Sequence, residues 1–356
     1  MSKEALKKRD SSLDLIRIFA FMSVVSVHFF LHVDFYSTPE IGVGMYAMTL
    51  VRTFFMVCVP LFLMLSGYLC NKKKLSKQYF FGIIKILGVY FLAGISCLLF
   101  KSLTEDLNIV LWVVQIFNFT SAPYAWYIEM YVGLFLLIPF INILYNGLKN
   151  KKEKQAFLFV LVFLTILPGI VNAKMQSIPS WWIDIYPITY YVVGAYLAEY
   201  PPKIKNRTLI MLLIVHIGLS GTYIFFRSHG INFVDGFWNN WKSITNFISA
   251  ILIFMIIKNI KTSHWNVNLK GVIKYISGIT LGAYLVSWIF DSIFYPILNS
   301  KVELAVMRFS YFIPMVLTIA VCSLFLSAII SGIYNVVAKI ISGIYQKHQI
   351  KKYKTI

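Results

Sequence analysis

Apolar residues in this chain come in long unbroken blocks, at 13–34, 43–70, 79–101, 125–147, 155–172, 183–200, 207–227, 240–258, 272–298 and 305–341. A bilayer crossing takes about 20 predominantly apolar residues in a helix, because lipid offers the backbone no hydrogen-bonding partner. The pattern therefore predicts an all-α, polytopic membrane protein of about ten transmembrane helices. A further apolar stretch, NIVLWVVQIFNF at 108–119, is too short to cross and is expected to lie in the interface or to re-enter. Trp112, Trp126, Trp181, Trp182, Trp238 and Trp241 fall at or near the ends of these blocks, as an aromatic belt requires. The first block is span-length and ends in HFFLHVDFY without a small-residue cleavage site, so it is expected to stay as the first helix rather than leave as a signal peptide.

Charge orients these helices. Alternate connecting segments, beginning with the N-terminal one, hold 23 Lys and Arg, whereas the opposite set holds 5, among them Lys101, Lys174 and Arg227. Basic residues accumulate on the cytoplasmic side, which places both termini there: a short segment 1–12 and a basic tail 347–356. The same bias accounts for a net charge of +19 without invoking nucleic acid. A composition of 59% apolar and 13% charged residues excludes an ordinary soluble globule or a disordered chain. Cys58, Cys70, Cys97 and Cys322 all lie in apolar runs without Cys-x-x-Cys or Cys/His ligand spacing, so neither a disulfide framework nor a metal site is expected. No repeat or low-complexity linker divides the chain, and 1–356 reads as one domain.

Candidate chemistry lies in the few ionisable groups inside the blocks, since burying a charge at the bilayer centre costs about 2.5–3.5 kcal/mol on insertion scales. In LDLIRIFAFMSVVSVHFF, Arg17 and His28 are eleven residues apart. That is three turns plus about 20°, so they share one helix face about 16 Å apart along the axis. Asp14 is placed to pair with Arg17. Two readings compete for each group. Arg17 either snorkels to lipid phosphates or binds a ligand, and His28 either satisfies a neighbouring helix or accepts a proton, the usual task of a neutral imidazole.

The motif Leu13-Asp14-x-x-Arg17, with an apolar decade ending in His28, resembles the first-helix signature of acyltransferase family 3, the bacterial membrane acyltransferases that modify surface glycans. Three more passages are similar to that family: VPLFLMLSGYL at 59–69, APYAWYIEMYVGLFLLIPFI at 122–141 with Trp126, Tyr127 and Pro139, and YYVVGAYLA at 190–198. The resemblance implies ten spans in a bacterial plasma membrane with cytoplasmic termini. It also implies transfer of an acyl group, commonly acetyl, from acyl-CoA as co-substrate to a hydroxyl of a surface or lipid-linked saccharide, with no bound cofactor. His28 and Arg17 take the catalytic positions. Arg17, Lys85, Ser66, Gly67 and Tyr68 are assigned to donor binding. The pattern departs at two places: Lys85 and Gly82 stand where an arginine pair is common, and Tyr284-Leu285-Val286-Ser287 lacks a late histidine. A lysine keeps the charge but not the bidentate fork.

Arg52, Trp126, Tyr127, Glu129 and Asp291 are candidate acceptor or path-lining residues. Arg52 with Glu129 or Asp291 would alternatively make a structural ion pair, and Glu129 and Asp291 are the next candidates for the base if His28 is not. His216 reads as structural. A transporter or flippase-like protein for glycans, or a sensing module on the same fold, competes with the enzyme reading.

Overall fold

The computed structural model describes residues 9–354 apart from 107, 173, 174 and 237, with side chains as far as Gly343. The segment before Arg9, Lys174 and the side chains of the basic tail thus lie outside the described residues. The fold is all-helical, 76% helix without a β-strand among the described residues. Among the described residues, eight helical segments are long and apolar enough to cross a membrane: Ser12–His32, Gly42–Cys70, Lys77–Lys101, Trp126–Gly147, Lys151–Val171, Asn206–Arg227, Val267–Lys301 and Ala305–Gly343. The protein is a multi-pass membrane protein. The two remaining blocks are helical but short, Tyr186–Glu199 with 14 residues and Ile244–Lys258 with 15. At 1.5 Å per residue these reach about 21–22 Å, less than a hydrocarbon core of about 30 Å.

We number the helices that build the site α1 (Ser12–His32), α2 (Gly42–Phe55), α3 (Cys58–Cys70), α4 (Ile83–Lys101), α5 (Trp126–Gly147), α6 (Tyr186–Glu199), α7 (Asn206–Arg227), α8 (Ile244–Lys258) and α9 (Val267–Lys301). The second block is not one rod. It breaks at Met56 and Val57 between α2 and α3, where Pro60 lacks the amide hydrogen that would continue the ladder and its ring crowds the carbonyl four residues back. The 108–119 stretch holds a nine-residue helix, Ile109–Phe117, capped by the Asn108 side chain. Its Ile109, Val110 and Phe117 are exposed, which suits a lipid-facing surface helix.

Two contacts hold the centre together. Helices α3 and α6 meet backbone to backbone: a Cβ at Gly67 would lie 1.8 Å from the Tyr191 carbonyl oxygen, and one at Gly194 would lie 1.9 Å from that of Met64. Small residues let helices approach this closely where no hydrophobic effect drives them together. Helices α1 and α9 are joined along their length by Ser277 Oγ donating to Asp14 (2.9 Å), Asp291 beside His28 (3.5 Å) and Asn299 Nδ2 donating to the His32 carbonyl (2.8 Å). Residue numbers rise together along both, so the two helices run parallel.

Orientation can be tested directly. Of the native cysteines, Cys58 and Cys97 are buried and Cys70 and Cys322 half-buried, so the labelling is carried out with all four replaced by alanine. In intact cells a membrane-impermeant maleimide should modify Ser177→Cys and leave Lys151→Cys unmodified; modification of Lys151→Cys from outside would overturn the expected placement of both termini in the cytoplasm.

Candidate functional site

Helix α1 carries two charged or imidazole groups at each of two levels of the bundle, Asp14 with Arg17 and His28 with His32, and α9 supplies Ser277 at the first and Asp291 at the second. At the first level Asp14 is buried and held by both nitrogens of the Arg9 fork, Nε and Nη2, at 2.7 Å. Arg17 Nη1 stands 3.7 Å from Asp14 and donates instead to Ser277 Oγ at 2.8 Å. The expected Asp14–Arg17 pair is therefore secondary: a bidentate fork outcompetes a single nitrogen for the carboxylate, and among the described residues Ser277 is the hydrogen-bond partner of the Arg17 guanidinium.

At the second level His28 is buried, with Nδ1 3.5 Å from Asp291 Oδ2. Asp291 is fully buried and accepts a 2.7 Å hydrogen bond from the Tyr124 hydroxyl. His32, one turn beyond His28, has Nε2 2.8 Å from the same hydroxyl and 3.7 Å from Asp291 Oδ2. Because Tyr124 has one hydroxyl hydrogen and spends it on Asp291, His32 must donate from Nε2. The Tyr124 ring lies against His28 at 3.9 Å between centroids, tilted by 40°, and the Tyr295 ring stacks on His32 at 4.8 Å. Tyr284 donates to the Tyr124 carbonyl and fixes the connection that bears it.

A cavity of about 600 Å³ passes these levels, within the range of small-molecule sites. Arg17, Ser66 and Lys85 line one end, and His28, Tyr124 and Tyr127 the middle. Tyr36, Arg52, Asp235 and Asn240 line the other end with Trp126 and Trp241, whose rings stack at 4.6 Å. With Nδ1 turned to Asp291, Nε2 is the His28 nitrogen available to a molecule in the cavity.

Several candidate residues lie elsewhere. Gly67 and Tyr68 are not on the cavity wall: Gly67 is spent on the α3–α6 contact, and Tyr68 packs against Phe254 with Lys258 over its ring. Glu129 is exposed on the outer face of α5, one position round the helix from the buried Tyr127 and Ile128. Asp291 stands behind the wall rather than on it. Arg52 pairs with neither acid. Its Nε donates to the Tyr36 hydroxyl at 2.8 Å, Nη1 reaches the Asn239 carbonyl at 3.3 Å, and the Phe233 ring lies 4.3 Å beneath it. Its buried neighbour Glu40 accepts from the Thr49 hydroxyl at 2.9 Å, and burial pushes that carboxyl up to about 7, against the pull of Thr49 and Arg52. His216 contacts the Thr245 carbonyl at 2.9 Å, a structural role.

Sequence reading missed His32 and Tyr124. For His32 the signal was present in HFFLH, two histidines four apart and so on one helix face. Tyr124 lies in a connection, where no periodicity points.

No curated protein and no solved structure gives a significant match to the chain. The family model described as an acyltransferase domain matches residues 10–333, nearly the whole sequence and every level of the site. The chain is thus a membrane-embedded member of acyltransferase family 3.

Proposed function

We propose that this acyltransferase moves an acetyl or similar acyl group from acyl-CoA to a hydroxyl of a surface or lipid-linked saccharide, with His28 as general base. The observation that carries the reading is the position of His28 midway along a cavity that begins at two cations, Arg17 and Lys85. The anionic nucleotide of CoA suits those cations, and its acylated arm reaches toward His28 from the cytoplasmic end. The saccharide approaches past Arg52, Trp126 and Tyr127 from the opposite end.

The chemistry needs no other reactant. His28 Nε2 takes the proton of the acceptor hydroxyl while the oxygen attacks the thioester carbon. The carbon–sulfur bond then breaks, and the same nitrogen returns the proton to the departing thiolate. Asp291 orients the ring and offsets the positive charge that His28 carries between the two transfers. A cavity with cations toward both ends would also suit a translocation path. Purified protein given labelled acetyl-CoA, with glycan NMR of a deletion strain beside wild type, separates the two. Consumption of acetyl-CoA and loss of a glycan acetyl signal support the enzyme; absence of consumption under every acceptor condition favours the transporter.

A further inference from the structure

We propose that His32 and Tyr124 are positioning residues that hold Asp291 for His28, and that protonation of His32 switches transfer off. The proposal rests on the reading of His28 as base. Its own ground is a connected geometry: His32 Nε2 to the Tyr124 hydroxyl at 2.8 Å, that hydroxyl to Asp291 Oδ2 at 2.7 Å, and His28 Nδ1 facing the same oxygen at 3.5 Å. The other carboxylate oxygen, Asp291 Oδ1, is buried without a hydrogen bond. One carboxylate therefore serves two histidines and a tyrosine through a single oxygen, and its charge is contested.

With His32 neutral, the chain of donations runs from His32 through Tyr124 to Asp291, and the carboxylate charge is left to meet the His28 imidazolium. Once His32 is protonated, a second cation stands 3.7 Å from Oδ2 and competes for it. Two imidazolium ions against one buried carboxylate is unfavourable, so His28 then loses the electrostatic support that makes it a base. The groups facing His32 are His28 on its own helix, Asp291 and Tyr295 from α9, and Tyr124 from the connection before α5. Asp291 is the carboxylate among them. The His32 side chain is 30% exposed against 11% for His28, so His32 is the more accessible of the two histidines.

The pH profile of kcat/KM for acetyl-CoA-dependent transfer tests this. Wild type must lose two protons to become active, so its acid limb should approach a slope of about two on logarithmic axes. In His32→Gln the amide still donates to Tyr124 but does not titrate. That variant should show a slope of about one and a loss of about threefold at alkaline pH. Tyr124→Phe breaks the link and should lower kcat about tenfold, with the KM for acetyl-CoA unchanged. A slope of two retained in His32→Gln, or wild-type kcat in Tyr124→Phe, overturns the proposal. Tryptophan fluorescence on heating verifies folding, and if one variant does not accumulate the other decides. Full activity of His28→Gln would instead remove the reading on which this rests, whatever His32 does.

Discussion

Replacing His28 by Gln or by Ala should reduce acyl transfer by about 10²- to 10⁴-fold, the usual contribution of a positioned general base. Gln keeps the size and polarity of the ring but accepts no proton, so it should rescue nothing. The structure explains why stability should survive. His28 Nδ1 stands 3.5 Å from Asp291, too far for a strong hydrogen bond, and has no other partner. No hydrogen bond of Nδ1 is lost when the ring goes, and Gln keeps much of its packing against Tyr124, whereas a structural histidine would show the reverse pattern, with Gln restoring what Ala removes and Ala lowering the unfolding temperature. Asp291→Asn should fall in the same range, because the amide still accepts from Tyr124 but carries no charge to meet the imidazolium. Robust transfer by His28→Gln would sink the base assignment.

Arg17→Ala should raise the apparent KM for acyl-CoA by about tenfold, with a smaller rise for Arg17→Lys. A charge-assisted hydrogen bond to phosphate is worth about 1.5–3 kcal/mol, reduced here because the side chain is 30% exposed and partly screened. Lysine keeps the point charge and loses the fork. The substitution is a clean one for a structural reason: Asp14 retains Arg9 and Ser277 when Arg17 is gone, so no buried carboxylate is orphaned. Steady-state kinetics with acetyl-CoA varied at fixed acceptor provides the measurement. Donor kinetics unchanged in both variants would leave Arg17 as an anchor for the helix end.

How much of this was legible in the amino-acid order depends on which force acts on each feature. The number and approximate limits of the helices follow from apolar runs, since a bilayer leaves the backbone no alternative. The shared face of Arg17 and His28 follows from helical periodicity within one element. The break before α3 was legible only in retrospect, from Pro60. Partnerships across elements were not legible. His28 and Asp291 come from the first and ninth of the named helices, and nothing in either run specifies how the two are rotated against each other. In a soluble protein a polar face would reveal that rotation. Here lipid and protein interior are equally apolar, so Glu129 could not be told from a cavity residue, Arg52 drew its aromatic partners instead of an acid, and Gly67 was read as chemistry when it is contact. The sequence by itself determined that the chain is a membrane bundle with a cation and an imidazole on its first helix. Only the packed structure decided which carboxylate, tyrosine and second histidine stand behind that imidazole, because close packing between helices, and not hydrophobicity, selects the faces that meet.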